Sequence, residues 1–329
     1  MKFLVLGCGS IGSRHIENIQ KINSKNDIDV FDPQVKLRKK ISKKFHINEL
    51  SDMPKKKSDY DLVLICTPPS SHISLATELL KNNYNIFIEK PLSSNFNGIK
   101  KFRNLLKRKQ TLAFVGYNLR FNDGLKIIKK YVSDKKIGKI IHASAYFGQY
   151  LPDWRPTQNY KKNYSFIKNL GGGIIHDSSH EIDYLSWILG TPMTIQSDYV
   201  KGITLKTDVE GLAEISLKFK GNVLANIHLD FVRREYRRTS EFLFENGIID
   251  WSLKENTIKI FNTKNDSWKK FQFKQSLNDM YVEEMKHVIN CVKNNKKSKI
   301  IDIDNGILSL TLSEMIIKAG KTGKKLNFD

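Results

Sequence analysis

The segment Gly7-Cys8-Gly9-Ser10-Ile11-Gly12 constrains the fold of this chain more than any other stretch. It follows an apolar, strand-like run at residues 3–6 and opens a helical pattern with apolar residues at Ile11, Ile16, Ile19 and Ile22, after which residues 28–31 read as strand again. Strand, glycine turn, helix, strand is a βαβ unit, and its two strands must lie parallel. The alternation goes on through strand-like runs at 62–66, 86–88 and 112–115, separated by helical patterns at 73–80 and 99–106. A doubly wound parallel sheet is therefore expected over residues 1–120. From about Gly138 the texture changes. Runs at 140–147, 193–205, 209–219, 223–231 and 240–244 follow one another without intervening helices, and several alternate apolar with polar residues. That pattern predicts a mostly antiparallel sheet with one face covered. Helical patterns at 280–292 and 306–319 close the chain. The expected fold class is α/β, a parallel doubly wound sheet joined to an α+β domain at 121–329 that carries a large, open-faced, mostly antiparallel sheet. A tight junction with a cleft is expected near residue 120.

Composition excludes several classes of function. The formal charge is +21, from 55 Lys and Arg against 34 Asp and Glu. The basic pairs and triplets, among them Lys39-Lys40, Lys55-Lys56-Lys57, Lys129-Lys130 and Lys269-Lys270, are scattered along the whole length with no aromatic-interleaved block. They read as solvated faces, so no nucleic-acid partner is expected, although the field would steer an anionic substrate. No apolar stretch is long enough to span a bilayer, and the first apolar run stops at Gly7, too soon for a signal-peptide core. A cytoplasmic protein with no membrane partner is expected. Cys8, Cys66 and Cys291 are far apart and lack CxxC spacing, which reads as reduced thiols and no zinc site.

The glycine turn predicts a phosphate cradle. Gly7, Gly9 and Gly12 allow the tight turn, the close approach of backbone to a pyrophosphate and the packing of helix on sheet, while the helix N-terminus at Ser10 and Ile11 favours negative charge. Asp32 closes the second strand, placed to accept hydrogen bonds from ribose hydroxyls. Followed by Pro33 and no adjacent arginine, it favours NAD, with NADP possible because Lys36 and Arg38 are near. Thr67 and Pro68 begin a stiff loop at the end of another strand, with His72 at a helix start as a cofactor-side residue. Glu89-Lys90-Pro91 ends the next strand on the same edge, where such sheets bind ligands, and so offers Glu89 as a cofactor-side residue and Lys90 as a positioned ammonium.

Gly171-Gly172-Gly173 precedes a helix expected to run to Leu189, stopped by Gly190 and Pro192. At 100° per residue, His176, Asp177 and His180 share one helical face, where a carboxylate and imidazoles would orient and carry a proton transfer. The same letters spell His-Asp-x-x-His, and a metallohydrolase using His176 and His180 is a remote alternative that needs a metal and a third ligand. Arg120, Trp154, Arg155 and His176 are candidates to line a substrate pocket.

Taken in order, the glycine turn, Thr67-Pro68 with His72, Glu89-Lys90-Pro91, residues 116–121, the triple-glycine helix with Asp177 and His180, and Lys321-Thr322-Gly323-Lys324 resemble the Gfo/Idh/MocA family, that of glucose-fructose oxidoreductase and inositol dehydrogenase. The stretch 230–238, with Gly247 and Trp251, resembles its bacterial surface-sugar members. The resemblance implies a dinucleotide-binding Rossmann domain, NAD-dependent hydride transfer at a carbinol carbon of a sugar, polyol or nucleotide-linked sugar, and a homodimer or homotetramer built through the open sheet. It makes Lys90, Asp177 and His180 the catalytic residues. One departure stands out: two residues separate Asp177 from His180 where many members have three, so His176 is a conceivable substitute. On this reading His180, with an ordinary pKa of about 6.5, exchanges the proton while Lys90 steadies the alkoxide. The alternatives are an NAD-dependent glycosidase of related fold and a catalytically silent dinucleotide-binding subunit.

Overall fold

The computed structural model describes residues 1–54, 60–154, 159–203 and 205–328. They form two compact units: residues 1–118 with 277–307, and residues 119–276 with 308–329. The first unit thus takes back a segment that sequence alone assigns to the second.

In the first unit β1 (Lys2–Leu6), α1 (Ser10–Ile22), β2 (Asp27–Phe31), α2 (Val35–Phe45), β3 (Asn48–Glu49), β4 (Leu62–Ile65), α3 (His72–Lys81), β5 (Ile86–Glu89), α4 (Ile99–Lys107) and β6 (Ala113–Gly116) alternate as expected. The sheet order is β3-β2-β1-β4-β5-β6, and every pairing is parallel. From β1 the chain winds out to β3, then returns to the other side of β1 as β4. The switch point therefore lies between β1 and β4, the place where open parallel sheets bind ligands beyond their carboxyl ends. Both β4 and β5 are buried along their whole length, as continuous apolar runs should be in a sheet covered on both faces.

The second unit begins with α5 (Asp123–Asp134), β7 (Ile140–Gly148), α6 (Ile174–Asp177) and α7 (Ser179–Leu189). It continues through β8 (Thr194–Lys201), β9 (Glu210–Lys218), β10 (Leu224–Asp230), β11 (Arg237–Phe244), β12 (Gly247–Ser252), β13 (Thr257–Asn262) and β14 (Ser267–Gln272). The chain ends with α8 (Leu277–Lys293), α9 (Ile303–Thr322) and β15 (Leu326–Asn327). Nine strands lie in the order β14-β13-β12-β11-β7-β10-β9-β8-β15, antiparallel except for β7 beside β10. Strand β9 alternates buried with exposed residues, so one face of the sheet is solvated. On the covered face α5 comes close to β12: a Cβ at Gly124 would lie 2.7 Å from the Trp251 ring, whose Nε1 donates to Asn122 Oδ1 at 3.0 Å. Helix α8 belongs to the first unit. Its buried stripe of Met280, Met285 and Val288 accompanies packing on α1, where Asn278 Nδ2 donates to Asn18 Oδ1 at 2.7 Å.

No helix among the described residues is long and apolar enough to cross a membrane.

Candidate active site

The glycine turn is built as a cradle. Gly7 has φ +97°, and a Cβ there would lie 2.6 Å from the Cys66 carbonyl oxygen. A Cβ at Gly12 would lie 2.0 Å from the Gly7 carbonyl oxygen. These two glycines are demanded by the protein itself, which brings the β1 and β4 strand ends together. Gly9 differs, because a Cβ there meets nothing within 4 Å. It caps α1 with no side-chain hydrogen bond, which leaves the first-turn N–H groups without a capping side chain, as a site for a pyrophosphate requires.

Asp32 sits beside this turn, 7% exposed. Its Oδ2 accepts from the Cys8 N–H at 2.9 Å and its Oδ1 from the Gln34 N–H at 2.8 Å. A carboxylate has about four acceptor sites, so two remain for ribose hydroxyls. Arg38, one of the two residues that left NADP open, is buried, with Nη1 donating to the Asp32 carbonyl at 3.3 Å and Nε to Glu49 at 3.4 Å, while the other, Lys36, is exposed. Its guanidinium is committed to protein acceptors, and Asp32 with its spare acceptor sites fits an NAD ribose. Burial, then the Asp32 charge, pushes the Cys8 thiol up to about 12, which leaves it inert in the turn.

His72 holds the next two strand ends together. Its Nε2 lies 2.8 Å from the Thr67 carbonyl and its Nδ1 3.0 Å from the Pro91 carbonyl. Burial lowers its pKa, while the hydrogen bonds to those carbonyls pull the other way. Thr67 turns its hydroxyl to Ser71 Oγ at 2.7 Å, and Pro68 stands exposed beside it. Lys90 is half-buried immediately after β5, next to a fully sequestered Glu89 that contacts His15.

In the second unit the expected single helix is broken. Ser178, at φ −97° and ψ 32°, separates α6 from α7, because two successive serines favour a cap over a helix interior. The three residues therefore do not share one helical face. His176 points its Nε2 at Glu314 of α9, 3.0 Å away. Asp177, 4% exposed, accepts from the Tyr164 hydroxyl at 2.6 Å and from the Ser165 hydroxyl. His180 is buried at the start of α7. The glycines before α6 make the Asp177 environment possible, since a Cβ at Gly172 would lie 2.5 Å from the Tyr164 carbonyl oxygen and 2.7 Å from that of Ser165.

Arg120 takes a structural place. Its Nε and Nη2 donate to the two carboxylate oxygens of Asp183, both at 2.8 Å, and Ser309 Oγ adds a bond to the same carboxylate at 2.9 Å. At 3% exposed it is enclosed by these partners. Trp154 is half-buried, its Nε1 donating to the Gln149 carbonyl at 3.2 Å and its ring edge-on to Phe231. Arg155 lies outside the described residues. Among the described residues no group of three or more His, Cys, Asp or Glu could hold a metal ion. His15, Tyr164 and Ser165 were not singled out by the sequence. Only His15, three residues beyond Gly12, had a signal in its position.

Comparison with known proteins agrees with this geometry. Residues 1–117 match the model of the oxidoreductase family with an NAD-binding Rossmann fold, and residues 125–250 match the Gfo/Idh/MocA C-terminal domain. Myo-inositol 2-dehydrogenase of Thermotoga maritima is 25% identical over 329 residues, covering 95% of this chain and 94% of that protein. Among solved structures, levoglucosan dehydrogenase in complex with NADH aligns with a TM-score of 0.90 at 16% identity, over 100% of this chain and 99% of that one. The WlbA dehydrogenase from Bordetella pertussis, in complex with NADH and UDP-GlcNAcA, gives 0.84 at 17% identity, over 100% and 99%. At these identities the structural likeness carries the fold alone, and the family models carry the rest. With the glycine cradle and the buried Asp32 in place, the chain belongs to the Gfo/Idh/MocA family of NAD-binding oxidoreductases.

Proposed function

We propose that this protein is an NAD-dependent dehydrogenase or reductase that acts on a carbinol of a sugar, polyol or nucleotide-linked sugar. The observation that carries the reading is the turn in which Gly9 faces open space beside a buried Asp32 with acceptor capacity to spare. The substrate class is supported by family membership and by a relative that acts on myo-inositol. Bound NAD would supply hydride acceptance and return. The chain's own residues handle the proton and the charge. Lys90 steadies the oxygen as it becomes alkoxide, His180 exchanges the proton, and Asp177, held by Tyr164 and Ser165, orients its neighbours. His176 is left out of the proton transfer because Glu314 engages it.

The reading includes a homodimer or homotetramer formed through the solvated face of the nine-stranded sheet. That face carries a depression of about 510 Å³ lined by both signs of charge, Arg237 and Lys259 against Glu214, Glu241 and Asp250, as a self-complementary contact needs. Within it His228 bridges Glu214 Oε1 at 2.5 Å and Asp230 Oδ2 at 3.0 Å. Burial pulls the imidazole down, but those two hydrogen bonds carry it above its ordinary value. Cytoplasmic placement is also part of the reading, supported by three buried cysteines without a disulfide.

A thermal-shift and NADH-absorbance screen of NAD and NADP against free and nucleotide-linked sugars tests the function. With the substrate it finds, Lys90→Ala and His180→Ala should each lose about 10²- to 10⁴-fold in turnover while binding NADH normally. Near wild-type turnover in both variants would sink the assignment. Sugar release without net NADH would instead reveal a glycosidase.

A further inference from the structure

His15 is wholly buried on α1 and Glu89 is buried at the end of β5, and the chemistry proposed above uses neither side chain. They meet each other, with His15 Nε2 2.6 Å from Glu89 Oε1. The second carboxylate oxygen, Oε2, accepts the main-chain N–H of Lys90 at 3.2 Å. The imidazole is boxed in, edge-on to Phe87 at 5.2 Å and to Tyr281 at 6.1 Å between ring centroids. Its Nδ1 is buried with no hydrogen-bond partner among the described residues. A bare ring nitrogen costs less there than an unpaired N–H, so the proton belongs on Nε2, donated to the carboxylate. Glu89 is confined as well. A Cβ at Gly116 would lie 3.4 Å from its carboxylate carbon and 2.8 Å from the Phe87 ring.

We propose that His15 and Glu89 are positioning residues, a buried clamp that fixes the Lys90 main chain at the end of β5 and ties it to α1, the helix whose N-terminus is the glycine turn. The proposal rests on the reading that Lys90 acts on the substrate. A lysine has a flexible four-carbon stem, so where its ammonium arrives depends on the backbone from which it springs. The clamp removes the rotation of that peptide at its source. His15 contributes as the donor that keeps the Glu89 carboxylate turned toward the Lys90 N–H. Because a displacement of about 1 Å can cost on the order of 10²-fold in rate, the clamp acts on turnover without touching the reacting atoms.

The test uses the full chain with NADH bound. Hydrogen exchange read on the peptide covering residues 87–92 should show the Lys90 amide exchanging roughly tenfold faster in His15→Ala and in Glu89→Ala than in the wild type. Turnover with NAD and the first sugar or polyol to give NADH absorbance should fall about 10- to 100-fold in His15→Ala, with NADH affinity changed less than about threefold. His15→Gln, which keeps an N–H donor of similar reach, should recover most of the loss. The double variant Lys90→Ala/His15→Ala should be no slower than Lys90→Ala, because both changes act through one ammonium. Additive losses, or no rescue by glutamine, would reduce His15 to a packing residue and overturn the proposal. Unchanged exchange in His15→Ala overturns the clamp and leaves the role of Lys90 intact. Wild-type turnover in Lys90→Ala overturns that role, and the proposal with it.

Discussion

Two glycine-rich turns lead into the helices that carry the site residues, and they use glycine for different ends. At residues 7–12 the outer glycines accommodate protein, with Cys66 and Gly7 carbonyls too close for any Cβ, while Gly9 between them faces nothing within 4 Å. At residues 171–173 the crowding comes from protein alone. Gly172 lies under the carbonyls of Tyr164 and Ser165, and a Cβ at Gly173 would meet Glu210 Oε2 at 2.2 Å. The first turn keeps an opening at a helix N-terminus; the second closes a loop over α6 and brings two hydroxyls to Asp177. Glycine in the first leaves open space at Gly9 and in the second serves packing, although both look alike as letters.

The largest effects should come where a Cβ meets backbone that cannot yield. Gly12→Ala forces an atom to 2.0 Å from the Gly7 carbonyl oxygen, and Gly172→Ala forces one to 2.5 Å from that of Tyr164. Overpacking of this kind costs about 1–3 kcal/mol and sometimes more, so both variants should melt several degrees below the wild type by calorimetry. A wild-type melting temperature for Gly172→Ala would break the comparison at its packing end.

Gly9→Ala should behave in the opposite way. No protein atom opposes the added methyl and φ at this position is −68°, an ordinary value for alanine, so the melting temperature should stay close to that of the wild type. The methyl would stand in the opening where a pyrophosphate approaches the backbone, and NADH affinity measured by calorimetric titration should fall about tenfold or more, the equivalent of about 1.4 kcal/mol. Unchanged NADH affinity would remove the distinction between the two turns.

What could be read from the letters follows the same division. The parallel sheet was legible because its strands are short apolar runs between helical patterns, while the strand order that sets its switch point came only with the structure. The later strands were read less completely. Strand β14 is exposed along its whole length and shows no alternation, so periodicity gave no signal, whereas the tight Glu245-Asn246 connection between β11 and β12 leads straight into Gly247 at the start of β12. At the site, Asp32 and Lys90 sit at strand ends whose spacing is local. The Arg120–Asp183 pair was not legible, because its members lie 63 residues apart and a bidentate pair buried at that separation leaves no trace in either segment. The break at Ser178 likewise undid a one-face argument that assumed an unbroken helix.

The smallest predicted effect concerns the two hydroxyls that the second turn delivers. Ser165→Ala removes one donor from a buried carboxylate that keeps the other, Tyr164, at 2.6 Å. Because the carboxylate keeps Tyr164 as a donor, the loss in stability should stay below the about 1.5–3 kcal/mol that a hydrogen bond to a charged group contributes. Turnover should fall by about tenfold with NADH affinity unchanged, because Asp177 is loosened but not lost. Tyr164→Phe should do the same, and the double variant should lose more than the product of the two, since only then is the carboxylate left without either hydroxyl. Should the single variants match wild-type turnover while Asp177→Ala abolishes it, the aspartate would act without needing these donors. The triple glycine would then be a feature of packing alone, and the contrast between the two turns would be complete.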